Sequence, residues 1–206
     1  MKVSRIPHTM EEFHMQNLEI LSPAGDPERL RAALDFGADA VYLGGNLFGM
    51  RQGAPNFNAE ALCDGVKLAH SMGKKVYLTV NTLPRNDEFR LLPQFISEAV
   101  NAGVDAMIVA DLGVLSVIRR LAPQMCIHMS TQTGIVNYET ANVLYEMGAR
   151  RVVLARELSL EEIAEIRRKT PKSATITAST PALTASDKKC GSSAISGFLG
   201  KVLTVR

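Results

Sequence analysis

Tryptophan is absent from this 206-residue chain, and only 5% of its residues are aromatic. Stacking platforms for single-stranded nucleic acid, which need exposed aromatic faces, are therefore poorly supplied. Cysteine is scarce as well: Cys63, Cys126 and Cys190 are odd in number and widely spaced. That argues against a disulfide framework and against a self-contained zinc site, which wants C-x-x-C-like pairs. No apolar run approaches the roughly 20 residues needed to cross a bilayer. The opening MKVSRIPHTMEEFHM also lacks the apolar stretch of a secretory signal. The expectation is a cytoplasmic protein without membrane contact. H-E-x-x-H, G-x-S-x-G and P-loop patterns are all missing, which removes the commonest signed routes to hydrolysis and nucleotide binding.

What is present describes an ordinary globular chain, 46% apolar and 21% charged, long enough to bury a sizeable core. The net charge of +2 hides an asymmetry. From Arg167 onward there are eight basic residues and one acid, Asp187, so the tail carries +7 and the preceding residues −5. A basic tail is either a solvated segment or a contact for RNA.

One phrase recurs: a helix, a glycine turn, then four or five apolar residues ending in something polar. It reads FGADAVYLGG from Phe36, MGKKVYLTVN from Met72, AGVDAMIVAD from Ala102 and MGARRVVLAR from Met147. Glycine supplies the left-handed cap that stops a helix, and the apolar run after it suits a buried strand. LEILSPAG and CIHMSTQTG, the latter from Cys126, fit the same rhythm. Between them, helical periodicity predicts helices from Pro27, over Ala59–Ser71, Leu91–Asn101, Leu112–Leu121, Tyr138–Glu146 and Ser159–Lys169. The last opens on a capping box, Ser159 with Glu162.

Six strands alternating with six helices by Pro171 imply a parallel sheet with crossovers, either an open doubly wound sheet or a closed β/α barrel. SPAGDPERL is not the glycine loop that the open form would favour, and GGNLFG has the wrong spacing. Strand parity favours the barrel. In the third strand Val76, Leu78 and Val80 oppose Tyr77, Thr79 and Asn81; in the fifth, Ile127, Met129 and Thr131 oppose His128, Ser130 and Gln132. A strand with helices on both faces would be apolar throughout, whereas a barrel strand may be polar toward a ligand-holding lumen. The predicted fold is thus a parallel TIM-like α/β barrel, incomplete, with six or seven strands.

Barrel active sites lie at the C-terminal ends of the strands. That rule nominates His128, Glu157 and Asp111 as catalytic candidates. It gives Glu19, Tyr42, Arg51, Asn81, Ser130, Gln132 and Arg156 as substrate-binding ones. Arg156, placed in line with Val152 and Leu154, would hold a carboxylate or phosphate; His128 would carry protons. Each has a plainer reading. A lone buried histidine is more often a satisfied hydrogen-bond partner than a catalyst, and Arg156 with Glu157 serves equally as a structural ion pair.

LEILSPAGDPERLRAALDFGADAVYLGG, KKVYLTVNTLPRND, GVDAMIVADLGVLSVIRRLAP, IHMSTQTGIVNYET and RRVVLARELSLEEI, in this order, resemble the N-terminal barrel of the collagenase-like peptidase family U32 over residues 17–171. The resemblance implies a protein labelled a peptidase. It also implies an alternative, since several members act in RNA hydroxylation at uridine or cytidine, and relatives serve ubiquinone synthesis with an iron–sulfur cluster. In such relatives a seventh strand like EVFVHGALC and further cysteines follow. Here the chain reads KSATITASTPALTASDKKCGSSAISGFLGKVLTVR, with Cys190 as the single counterpart of a cluster ligand. A cluster wants four thiolates, so none is expected in this chain. The chain divides accordingly into an extension over 1–16, the partial barrel over 17–171 and a divergent basic tail over 172–206. That tail reads as disordered or as a seventh strand at Ala174–Thr177, and its bias toward Ala, Ser, Thr and Lys is what a slipped frame or truncated copy would give.

Three readings follow: a peptidase or its inactive truncated form, an RNA pyrimidine hydroxylation protein whose lumen binds a small acidic cosubstrate, and a non-catalytic binding fragment. No nucleophile–base pair stands out to support proteolysis. Open barrel edges point to self-association.

Overall fold

The computed structural model describes residues 19–50 and 56–178, with the backbone of 203–205. The repeating phrase becomes repeating structure. Strands β1 (Leu21–Pro23), β2 (Ala40–Gly44), β3 (Lys75–Val80), β4 (Ala106–Val109), β5 (Cys126–Met129), β6 (Arg151–Val153) and β7 (Thr175–Ala178) alternate with helices. These are α1 (Pro27–Asp35), α2 (Ala59–Ser71), α3 (Leu92–Ala102), α4 (Leu112–Leu121), α5 (Tyr138–Glu146) and α6 (Leu160–Lys169). A last strand, β8 (Leu203–Val205), lies antiparallel on β7.

The helix starts are chemically explicit. Asp26 accepts the Arg29 amide at 2.7 Å with Pro27 behind it, and Asn58, Asp111 and Asn137 cap α2, α4 and α5 in the same way. Ser159 and Glu162 close a reciprocal capping box on α6. Asp and Asn side chains there satisfy amides that have no intrahelical partner. The ends need glycine. Gly103 terminates α3 at φ 81°, and Gly148, at φ 102°, lies so close to the Arg119 guanidinium that an added Cβ would sit 2.7 Å from its Nε.

Each strand pairs with its successor in sequence order, and β1 to β7 run parallel. The seven curl into a half-barrel, a TIM-like α/β fold whose described ends, β1 and β8, do not pair with each other. The expected parity holds: Val76, Leu78, Val80, Ile127 and Met129 join the large core beneath the helices. Tyr77, Ala40 and Ala106 form a second, smaller cluster with Tyr42, Ile108 and Cys126 on the lumen side. Among the described residues no helix is long and apolar enough to cross a membrane.

Two expectations shift. The seventh strand exists, at Thr175–Ala178. The sixth ends at Val153, three residues before Arg156.

Candidate functional site in the lumen

Reading inward from the start of the strands, five side chains from four elements meet. Glu19, just before β1, accepts a hydrogen bond from Arg151 Nη1 of β6 at 2.7 Å and another from the Tyr77 hydroxyl of β3 at 3.0 Å. Lys75 stands 3.9 Å from the same carboxylate. The Arg151 guanidinium lies 5.5 Å from the Tyr77 ring centroid, and His128 of β5 packs edge-on against that ring at 4.7 Å. Side chains of Glu19 and Arg151 are only 9% and 7% exposed, so this ion pair is shielded from solvent screening.

The register explains the meeting. Tyr77 lies opposite Ala106, which lies opposite Cys126; Ile108 lies opposite His128, which lies opposite Arg151. Alanine and the half-buried Ile108 leave room between β3 and β6 for the arginine to reach across. Cys126 and His128, two residues apart on one strand, share the lumen face and touch at 3.6 Å between Sγ and Nε2.

Electrostatics fix the charge states. Burial pulls the Glu19 pKa upward, yet hydrogen bonds and charge from Arg151, with Tyr77 and Lys75, outweigh it and leave the carboxyl below its usual value. Burial, then the charges of Arg151 and Lys75, push His128 down to about 3, so its imidazole is neutral at physiological pH. Burial also raises the Cys126 thiol, and burial with the adjacent Glu19 carboxylate raises Tyr77. The lumen floor therefore holds a carboxylate, a guanidinium, a neutral imidazole, a phenol and a thiol. A thiolate nucleophile needs the opposite setting, with a lowered thiol pKa beside a cationic histidine.

Nearer the C-terminal ends the other candidates spread out. Ser130 is buried, caps the turn Thr131–Thr133 and donates its hydroxyl to Gln132 Oε1 at 3.1 Å. The Gln132 amide in turn contacts Met50 in the loop after β2. Asn81 is half-buried, and its Oδ1 has no hydrogen-bond partner. Tyr42 lines the lumen opposite Tyr77. Asp111 spends its carboxylate on the Val114 amide at 2.9 Å. Arg156 and Glu157 lie exposed on the turn after β6 and form no ion pair with each other. Arg51 and Cys190 fall outside the described residues.

The structure thus joins Glu19 and His128 in one cluster and leaves Asn81 and Arg156 apart from it. Arg151, not Arg156, is the arginine that enters the lumen. Val152 belongs to the outer core, so its strand neighbour Arg151 faces in. Tyr77 is the other residue that the sequence reading did not single out. Parity could have found both.

The profile of peptidase family U32 matches residues 25–197. The chain belongs to this family. It is 41% identical over 158 residues to the tRNA hydroxylation protein P of Helicobacter pylori, covering 76% of this chain and 37% of that protein. It is 40% identical over 153 residues to the 23S rRNA 5-hydroxycytidine C2501 synthase of Escherichia coli, covering 74% and 23%. This U32 chain therefore spans only about a quarter to a third of the length of these relatives. Among solved structures the U32 peptidase Mk0906 superposes with a TM-score of 0.64 at 17% identity, covering 79% of this chain and 67% of that one, a likeness of fold.

The iron–sulfur cluster implied by the resemblance does not fit the side chains described. Cys63 lies on α2 in the outer layer and Cys126 in the lumen, on opposite sides of the sheet. Among the described residues no group of three or more His, Cys, Asp and Glu gathers to hold a metal.

Proposed function

We propose that this chain is the barrel portion of a protein that acts in RNA pyrimidine hydroxylation, and that it is not a peptidase. One observation carries the reading. Three quarters of the chain is 40–41% identical to proteins named for tRNA hydroxylation and rRNA hydroxycytidine synthesis. The lumen chemistry supports it, because the Cys126–His128 contact joins a raised thiol to a neutral imidazole, a poor start for attack on a peptide bond.

In this reading the Glu19–Arg151–Tyr77 brace fixes the lumen floor, and a small acidic cosubstrate sits above it. Tyr42, Asn81, Ser130 and Gln132 offer hydrogen bonds toward that space, and the unpartnered Asn81 Oδ1 is an acceptor waiting for a donor. Arg156 and Glu157, exposed at the rim, meet the RNA rather than the cosubstrate. Exclusion of bulk water by the packed floor strengthens each polar contact above it. RNA as substrate agrees with the cytoplasmic setting expected from the sequence.

The test is a deletion strain whose RNA is digested to nucleosides and analysed by mass spectrometry. Loss of a hydroxylated pyrimidine, restored by the gene, is the expected result. Unchanged hydroxylation together with gelatin or casein cleavage by the purified protein would overturn the reading in favour of the peptidase.

A further inference from the structure

The cationic charge of the described residues collects away from the lumen mouth. Around the C-terminal ends of α4, α5 and α6, and the loops leading into β5, β6 and β7, lie Arg119, Arg120, Arg150, Arg167, Arg168, Lys169 and Lys172. The acids among them are Glu146 and Glu165. At the opposite end Arg85, Arg90 and Arg156 are interleaved with Asp87, Glu88 and Glu157, and no single sign prevails.

Part of this charge has a local duty. Basic side chains in the last turns of α4 and α6 complement the helix dipole. Arg119 donates to the Pro123 carbonyl at 2.6 Å. Arg167 ties down the following loop through Thr170 Oγ1 and the Pro171, Lys172 and Ala174 carbonyls. Lys169 pairs with Glu165 at 2.8 Å and lies over the Tyr138 ring. What remains is Arg120, Arg150, Arg168 and Lys172, all exposed and none in an ion pair among the described residues. Arg150 and Lys172 lie beyond the helix ends, where no dipole calls for them.

Two of these cations, Arg150 and Arg168, line a cleft of about 630 Å³ between the ends of α5 and α6, and Lys172 stands between its lining residues Pro171 and Ser173. Its lining includes Arg150, Arg168 and Lys169, the Thr170 and Ser173 side chains, and one carboxylate, Glu146. The packing of Arg119 on Gly148 draws the end of α4 against the same loop. No large exposed apolar side chain lines the cleft, as a protein partner would want for an anchor. A polar, positive surface of this kind suits a nucleic-acid contact, in which most hydrogen bonds go to phosphate and sugar.

We propose that this cleft, with Arg150 and Arg168 in its lining and Lys172 beside it, seats the phosphate backbone of the RNA substrate, at a distance from the lumen mouth where the base is modified. The inference rests on the RNA reading above and adds a second contact to it. Strands of three to six residues make the half-barrel roughly 10–20 Å tall. A folded RNA can therefore bridge its flank and its mouth at once. Backbone contacts here fix register and carry no sequence preference.

The test is fluorescence anisotropy of labelled tRNA with the full chain across a salt series. Wild type is set beside the triple variant Arg150→Glu/Arg168→Glu/Lys172→Glu, with Arg31→Glu on α1 as a charge control. Wild type is expected to bind with a steep salt dependence. The triple variant is expected to weaken binding at least tenfold near 0.1 M salt and to flatten the log–log slope by about 2, at roughly 0.7–0.9 for each phosphate that is no longer neutralised. The neutral set Arg150→Gln/Arg168→Gln/Lys172→Gln should show an intermediate loss with an unchanged circular dichroism melt. Equal affinity and slope in wild type and triple variant would overturn the cleft while leaving the RNA reading intact. No tRNA binding by wild type even at low salt would overturn both. Complete displacement of tRNA by millimolar inorganic phosphate at constant ionic strength would make the cleft a small-anion site and also overturn the inference.

Discussion

Replacing Glu19 with glutamine tests the lumen floor directly. The carboxylate faces the Arg151 guanidinium at 2.7 Å with both side chains under a tenth exposed. At that separation and an effective dielectric of about 20, the direct attraction is about 6 kcal/mol, partly offset by the desolvation of both ions. Glutamine leaves Arg151 charged and buried, with its Nε already lacking a partner. The net loss expected for breaking a buried pair on one side is about 3–5 kcal/mol. At roughly 2–4 °C per kcal/mol for a chain of this size, the melting temperature should fall by roughly 6–20 °C. Thermal and urea melts followed by circular dichroism read this out. Glu19→Gln/Arg151→Met removes both charges and should recover most of the loss, giving a coupling of about 2 kcal/mol or more in the double-mutant cycle. Acid has the same target. Because the folded Glu19 pKa lies below its ordinary value, its contribution is complete above about pH 4.3 and fades as pH falls through the folded pKa. The reasoning is refuted if Glu19→Gln melts within a degree or two of wild type, or if the double variant is no better than the sum of the singles.

Three further outcomes follow from the same structure. With its pKa near 3, His128 should stay neutral from pH 8 to pH 5, and its imidazole NMR signals should not move over that range. Since unfolding restores an ordinary histidine, stability should decline below about pH 6.5 by up to about 1.4 kcal/mol per pH unit, a slope that His128→Phe removes; signals titrating near pH 6.5 would contradict the burial argument. Cys126, raised by burial, should resist iodoacetamide at pH 7.5 in the folded protein, with labelling located by peptide mass spectrometry; modification as fast as that of an unfolded control would place an active thiolate there. Ser159→Ala, which opens the capping box of α6, should cost about 1 kcal/mol in urea unfolding, and an unchanged midpoint would remove the cap from the account.

Most of the fold was legible because one signal was written repeatedly. Gly103 and Gly148 stop helices where backbone geometry demands them, and the apolar runs behind them become β4 and β6. Parity then separated Tyr77, Thr79 and His128 from their outer-core neighbours. The site was less legible, for two physical reasons. Chain alternation tells which face a residue takes but not how far along the strand its neighbours reach. Long side chains such as Arg151 reach across the lumen to a partner 132 residues away, a pairing no local pattern contains. The arginine chosen from sequence, Arg156, lies where the strand has already ended, so alternation no longer governs it. Asp111, read as a rim acid, caps α4, a role that aspartate before an apolar run also predicts.

The bond between Glu19 and Arg151 also has a history during synthesis. The carboxylate leaves the peptidyl-transferase centre 132 residues before its partner is made. At 5–20 residues per second that is a wait of roughly 7–26 s. For that time β1 can dock only on β2, and Tyr77 arrives long before the guanidinium that completes the brace. The floor of the lumen is thus sealed only once β6 has been made, and a nascent chain paused before β6 holds Glu19 with Tyr77 and Lys75 alone at the base of an unfinished sheet.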